Sequence, residues 1–164
     1  MINLNVTIRR EPQVHLYDFL EFFQGFENIQ VVKNIFGSKT NEILKNLKVE
    51  FFSSKRGYMG VSDDDGHIRI CADYLKTASE LWLYLDIIHE LIHVRQFSEG
   101  KKLFDYKYEY CDRPTEIEAY SIVAKEAQRL EMTQDEIVEY LRAEWMTESE
   151  VQRLAKTIGI LPST

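Results

Sequence analysis

Cysteine, proline and glycine are all scarce in this chain, and each scarcity removes a class of protein. Two cysteines, Cys71 and Cys111, are too few for the disulfide framework of a small secreted domain and read as two thiols in a reducing compartment rather than a bridge. Three prolines and seven glycines leave no Pro/Gly-rich linker, and no repeat or low-complexity tract interrupts the sequence. Basic residues are also in deficit: 20 Lys and Arg against 27 Asp and Glu give a net charge of −7. Phosphate neutralisation needs clustered Lys and Arg, so nucleic acid is not an expected partner. No apolar run approaches the roughly 20 residues that cross a bilayer, so no membrane partner is expected. The start, MINLNVTIRR, lacks the charged and apolar regions of a secretory signal, and the expected location is the cytoplasm. With 164 residues the chain reads as one domain able to bury a core.

What is present is strongly patterned. Ile2, Leu4, Val6 and Ile8 alternate with polar residues, predicting a half-buried strand. Apolar residues at helical spacing predict helices over 15–26 and 27–36, ending near Gly25 and Gly37, and a shorter one over 41–46. Leu47, Val49 and Phe51 alternate again as a strand. Residues 58–61 and 67–71 flank a turn whose Asp65-Gly66 pair signals a hairpin. Thr77 and Glu80 have the capping-box spacing that would open a long helix fraying near Gly100. In the following loop, 101–112, Phe104, Tyr106, Tyr108 and Tyr110 alternate as in a strand and predict packing. Pro114 suits the first turn of a helix reaching about Met132. Thr133 with Glu136, and Thr147 with Glu150, open two more, the last ending at Gly159. The expected class is α+β, a small mainly antiparallel sheet packed against one long helix, with further C-terminal helices. Its parts would be N-terminal strand and helices (1–57), a metal-site core (58–130) and C-terminal helices (131–164).

The long helix carries the chemistry. His89, Glu90 and His93 stand in the order H-E-x-x-H. One helical turn separates the two imidazoles, so both can reach one metal ion, and Glu90 lies about 100° round the axis, beside the ion's open side. Over 81–94, apart from the phenol of Tyr84, the only ionisable groups are Asp86, His89, Glu90 and His93, all within one arc of about 100°. The pattern describes a buried helix with one polar seam, the metal-binding helix of a zinc hydrolase. A catalytic zinc usually takes three protein ligands. His15, His67, the cysteines, Asp86, Glu116 and Glu118 are the candidates. Projection places Glu116 in the stripe of Tyr120, Val123, Ala127 and Leu130, and Glu118 with Ser121, Lys125, Gln128 and Arg129. A carboxylate in an apolar stripe is costly unless paired or metal-bound, which favours Glu116. Glu118 is the alternative, and a helix-start role for Glu116 the structural one.

The run from His89 to His93, followed 23 positions later by Glu116 within Glu-Ile-Glu-Ala, resembles the gluzincin metallopeptidases. There HExxH precedes a glutamate ligand on the next helix, often as E-x-x-A, matched by Glu116 to Ala119. The resemblance spans about 58–130 and is motif-deep only at 89–93 and 113–120. It implies a compact zincin-like fold, zinc on His89, His93 and Glu116, and hydrolysis of a peptide or protein substrate by a zinc-activated water with Glu90 as general base. Tyr120 stands where some gluzincins carry a supporting aspartate, and the metzincin glycine and third histidine are absent.

Around that core, Tyr106, Tyr108, Tyr110 and Tyr120 are candidate oxyanion donors. Asp86 would orient an imidazole or pair with Arg95 or Arg113. His15 and His67 read as structural, and Asp63 to Asp65 as a solvated turn rather than a calcium loop. A substrate strand could add along 67–71. The alternative function is a catalytically silent zincin-fold binding or regulatory protein that keeps the metal site. A third reading is an interaction protein whose helix merely carries the string.

Overall fold

Phe19, Phe22, Phe23 and Phe26 are all essentially inaccessible to solvent, and burying four rings so close in sequence breaks the helix that the spacing over 15–26 predicts. In the computed structural model, which describes residues 2–11, 16–55 and 59–161, that stretch becomes a strand (β2, Leu16–Asp18), a single turn (α1, Phe19–Phe22), a second strand (β3, Phe23–Gln24) and a 3-10 turn (Phe26–Asn28). The predicted start at His15 lies outside the described residues. Asp18 N–H donates to Glu21 at 3.1 Å, which opens α1, and Gly25, at φ 95°, closes the segment; a Cβ there would sit 2.8 Å from the Asn5 carbonyl oxygen. The rings share one cluster, with Phe22 4.6 Å from Phe51 and 4.8 Å from Tyr17 between centroids. Helical periodicity could not separate this arrangement from a helix, because apolar residues face every direction.

The chain divides into two compact units, Met1–Gly100 and Lys101–Thr164. In the first, β1 (Thr7–Ile8) pairs antiparallel with β3 as a separate ribbon; only these two residues of the predicted N-terminal strand enter a ladder. The main sheet adds β4 (Lys48–Phe52), β5 (Met59–Val61) and β6 (Ile68–Cys71) in the order β2-β4-β6-β5. Two of its pairings are antiparallel, but β4 and β6 run parallel, Val49 opposite Ile68 and Phe52 opposite Cys71. The β6 strand is therefore interior, which corrects the expectation of a free edge along 67–71. Its N–H and C=O groups are already engaged on both sides, and the edges are β2 and β5.

The hairpin between β5 and β6 turns where Asp65-Gly66 predicts. Gly66 N–H donates to Ser62 at 2.9 Å, and Gly66, at φ 80°, has no room for a Cβ, which would lie 2.5 Å from the Phe97 ring. Helices α2 (Gln30–Phe36), α3 (Thr40–Asn46), α4 (Ala72–Thr77) and α5 (Glu80–Ser98) complete this unit, with α5 against β5 and α2. The α4 helix corrects the cap assignment. Thr77 closes α4, its hydroxyl donating to the Asp73 carbonyl at 2.8 Å, and Ser79 caps α5 by accepting from Trp82 N–H at 3.2 Å.

The second unit is helical. Its α6 (Pro114–Arg129), α7 (Gln134–Leu141) and α8 (Glu148–Thr157) start where the sequence signals predict. Thr133 and Glu136 exchange both capping-box bonds, as do Thr147 and Glu150. Val123, Ala127, Ile137, Leu141, Val151 and Leu154 form its interior. The loop before α6 departs from expectation: it is a run of turns, and Phe104, Tyr106 and Tyr108 are exposed, Tyr106 by 82%. Among the described residues, no helix is long and apolar enough to cross a membrane. The observed class is α+β.

Candidate metal centre

Nineteen residues long, α5 is apolar almost all round, with Leu83, Leu85, Ile87, Ile88, Leu91 and Ile92 inaccessible to solvent. His89, Glu90 and His93 are buried with them, at 6%, 7% and 6% exposure. Removing three ionisable side chains from water is costly unless each gains compensating partners, so their concentration in one turn makes this a candidate functional site. The two imidazoles meet edge to face, ring centroids 4.7 Å apart, with the Nε2 atoms 3.0 Å from each other.

Gln96 fixes the chemistry of this pair and was not singled out in the sequence. It is fully buried, and its Oε1 lies 2.7 Å from His93 Nδ1. An amide oxygen only accepts, so His93 donates from Nδ1. In its neutral form the ring then presents a lone pair at Nε2, aimed toward His89, which is the tautomer a metal ligand needs. The signal was available: Gln96 lies three residues after His93, on the same face of the helix.

Asp86, one turn before His89, accepts a hydrogen bond from the Tyr74 hydroxyl. Arg95, one of its expected partners, pairs with Glu99 at 3.5 Å. His67 is tied into the hairpin: Nε2 is 2.8 Å from Glu50, and Nδ1 contacts Asp65. Burial of the ring opposes its charge, but hydrogen bonds to Glu50 and Asp65 and their negative charges prevail and hold His67 above the ordinary imidazole value. Asp65 is bound into the turn, and His15 lies outside the described residues.

In the second unit Glu116 sits in the first turn of α6 and is 7% exposed. Glu118 is partly exposed and binds Lys101 at 3.2 Å. Helical projection therefore separated the two acids as the structure does. Tyr110 and Tyr120 join hydroxyl to hydroxyl at 2.8 Å. A second buried carboxylate, Glu126, is held bidentately by Arg129 from its own helix, at 2.9 and 2.7 Å.

Both thiols are free. Cys111, Glu109 and Glu150 form a further set of metal-ligating types, but Arg153 already occupies it. Its guanidinium donates to Glu109, to Asp112 and, at 3.0 Å, to the Cys111 sulfur. Burial pushes the Cys111 thiol up despite that donation, and a protonated thiol is a poor ligand. This set is a clamp joining α8 to the turn before α6.

No family model matches the chain, nor does any curated protein or solved structure.

Proposed function

We propose that the buried seam of α5 is a catalytic zinc site, which makes the chain a metal-dependent hydrolase. Within that class the reading is a zinc metallopeptidase of gluzincin type on a zincin-like fold. Its ligands are His89, His93 and Glu116, and its general base is Glu90. The observation that carries this reading is the histidine pair, with Nε2 atoms 3.0 Å apart and the His93 Nδ1 proton taken by Gln96. His89, His93 and Glu116 are also a wholly buried set of three side chains of metal-ligating type. Two imidazoles and one carboxylate suit zinc and leave a coordination position open.

When bound, zinc supplies the acidity of a water molecule near neutral pH and the polarisation of a scissile carbonyl. The rest is the work of the chain. Glu90, buried beside His89, takes the water's proton and returns it to the leaving amine. Gln96 holds the His93 ring in one tautomer. Tyr120, one turn beyond Glu116 with its hydroxyl tied to Tyr110, is the proposed donor to the developing oxyanion.

Glu90→Gln tests the mechanism. Peptide hydrolysis should fall about 10²–10⁴-fold, the contribution typical of a general base, with zinc content unchanged. Retained hydrolysis would remove Glu90 from the mechanism. His93→Ala should lose zinc, and equal zinc in both proteins would refute the site. Stoichiometric zinc without cleavage of any member of a broad peptide library would leave a binding protein in place of an enzyme.

A further inference from the structure

Arg113, the residue before α6, is held in an unusual way. Its guanidinium carbon lies 5.3 Å from the ring centroid of Tyr106 and 5.7 Å from that of Tyr110. Tyr110 is itself anchored, edge to face with Trp145 at 5.3 Å and hydroxyl to hydroxyl with Tyr120. Arg69, Arg95, Arg129, Arg142 and Arg153 each face a carboxylate. Among the described residues Arg113 faces none, and its Nε is shielded from solvent without a hydrogen bond. The aromatic rings attract the cation but accept few of its five N–H donors. They orient a planar fork whose geometry matches a carboxylate. This oriented cation sits in a chain of net charge −7, which suits one carboxylate better than a polyanion. It also precedes Glu116 by three residues, one helical turn.

We infer that Arg113, framed by Tyr106 and Tyr110, binds a carboxylate group of the peptide substrate. The inference rests on the peptidase reading for the nature of the ligand. The carboxylate has two sources, the peptide's C-terminus and an Asp or Glu side chain, and both present the same two oxygens to the fork. Tyr106, exposed by 82%, forms the outer wall of the subsite, and Tyr110 the inner one.

Trp145 gives a readout that needs no turnover, because its indole packs on Tyr110 and is 54% exposed. Three versions of one peptide are titrated against the full chain carrying Glu90→Gln, following tryptophan fluorescence. The first has a Glu side chain and an amidated C-terminus, the second Gln and a free C-terminus, and the third Gln and an amide. A Trp145→Phe control leaves only the contribution of Trp82, which is subtracted. One of the first two should bind about 10–100-fold more tightly than the third, as expected for a charge-assisted bidentate contact, and which one does so identifies the source. Arg113→Gln should abolish the difference, and Arg113→Lys, which keeps charge but not the planar fork, should reduce it. Equal affinity for all three peptides, no binding of any, or full discrimination retained in Arg113→Gln overturns the inference. If that variant does not fold by circular dichroism, undiminished discrimination in Arg113→Lys overturns it instead. Hydrolysis by the unsubstituted enzyme is measured separately: discrimination without cleavage sinks the peptidase reading and leaves the carboxylate site standing.

Discussion

Helices α5 and α6 each bury carboxylate chemistry, and they do so by opposite means. On α6, Glu126 is 5% exposed and is neutralised from within its own helix by Arg129, whose side chain reaches back from the solvent side. On α5, Glu90, His89 and His93 are buried within one turn, with Gln96 accepting from His93 Nδ1. The first arrangement closes a charge locally and asks for nothing more. The second gathers imidazoles and a carboxylate in an interior of leucine and isoleucine, where the proposed zinc ion would complement them. The helices differ in surface too: α5 is covered on nearly every side, whereas α6 exposes Lys125, Gln128 and Arg129.

That contrast can be broken by experiment. The largest effect belongs to the apolar shell of α5: Leu91→Ala should cost about 2–5 kcal/mol, whereas Lys125→Ala on the outer face of α6 should stay within about 0.5 kcal/mol. Chemical denaturation of both variants measures this, and similar costs would mean that α5 is no more enclosed than α6. Next in size is zinc itself. At a free concentration 100 times its dissociation constant, zinc should stabilise the protein by about 2.7 kcal/mol, and His93→Ala should remove the whole gain. Arg129→Ala follows. It strands Glu126 and should cost about 1–3 kcal/mol, by the same amount with zinc or with chelator. A zinc-dependent cost would show that the two carboxylate sites are coupled.

The smallest effect lies in the β5–β6 hairpin. His67 titrates above its ordinary 6.5, so its contribution is complete below that value and is lost as pH rises through the raised one. Asp65 and Glu50 titrate below their ordinary 3.8 and 4.5, chiefly through hydrogen bonds with His67, so their contribution is lost as pH falls through the lowered values. The stability difference between wild type and His67→Gln should therefore be greatest between these limits and fade at alkaline pH. Partial exposure of Glu50 and Asp65 keeps it below about 1 kcal/mol. A pH-independent difference would mean that His67 acts by packing alone.

Short-range chemistry was legible and long-range choice was not. The H-E-x-x-H run, the Thr133 and Thr147 caps, Pro114 at a helix start and the Asp65-Gly66 turn depend on residues within one turn of each other, and all lie where the sequence puts them. The separation of Glu116 from Glu118 was legible for the same reason, since a helix fixes which residues share a face. The Thr77 cap misled because a threonine hydroxyl serves a helix end as readily as a start, and only α4, a six-residue helix ahead of it, settles which. The aromatic alternation over 104–110 misled because period-two spacing specifies a strand only where a partner strand exists.

The sequence by itself therefore determined the polar seam of α5, the helix caps and the hairpin turn. Tertiary structure decided that the phenylalanine-rich start is not a helix, that β6 lies inside the sheet, that Gln96 sets the tautomer of His93, and that Arg113 lies against tyrosines rather than an acid. The physical reason is common to all four. Each outcome is a competition among partners brought together by burial, and the winner depends on groups that local spacing does not specify.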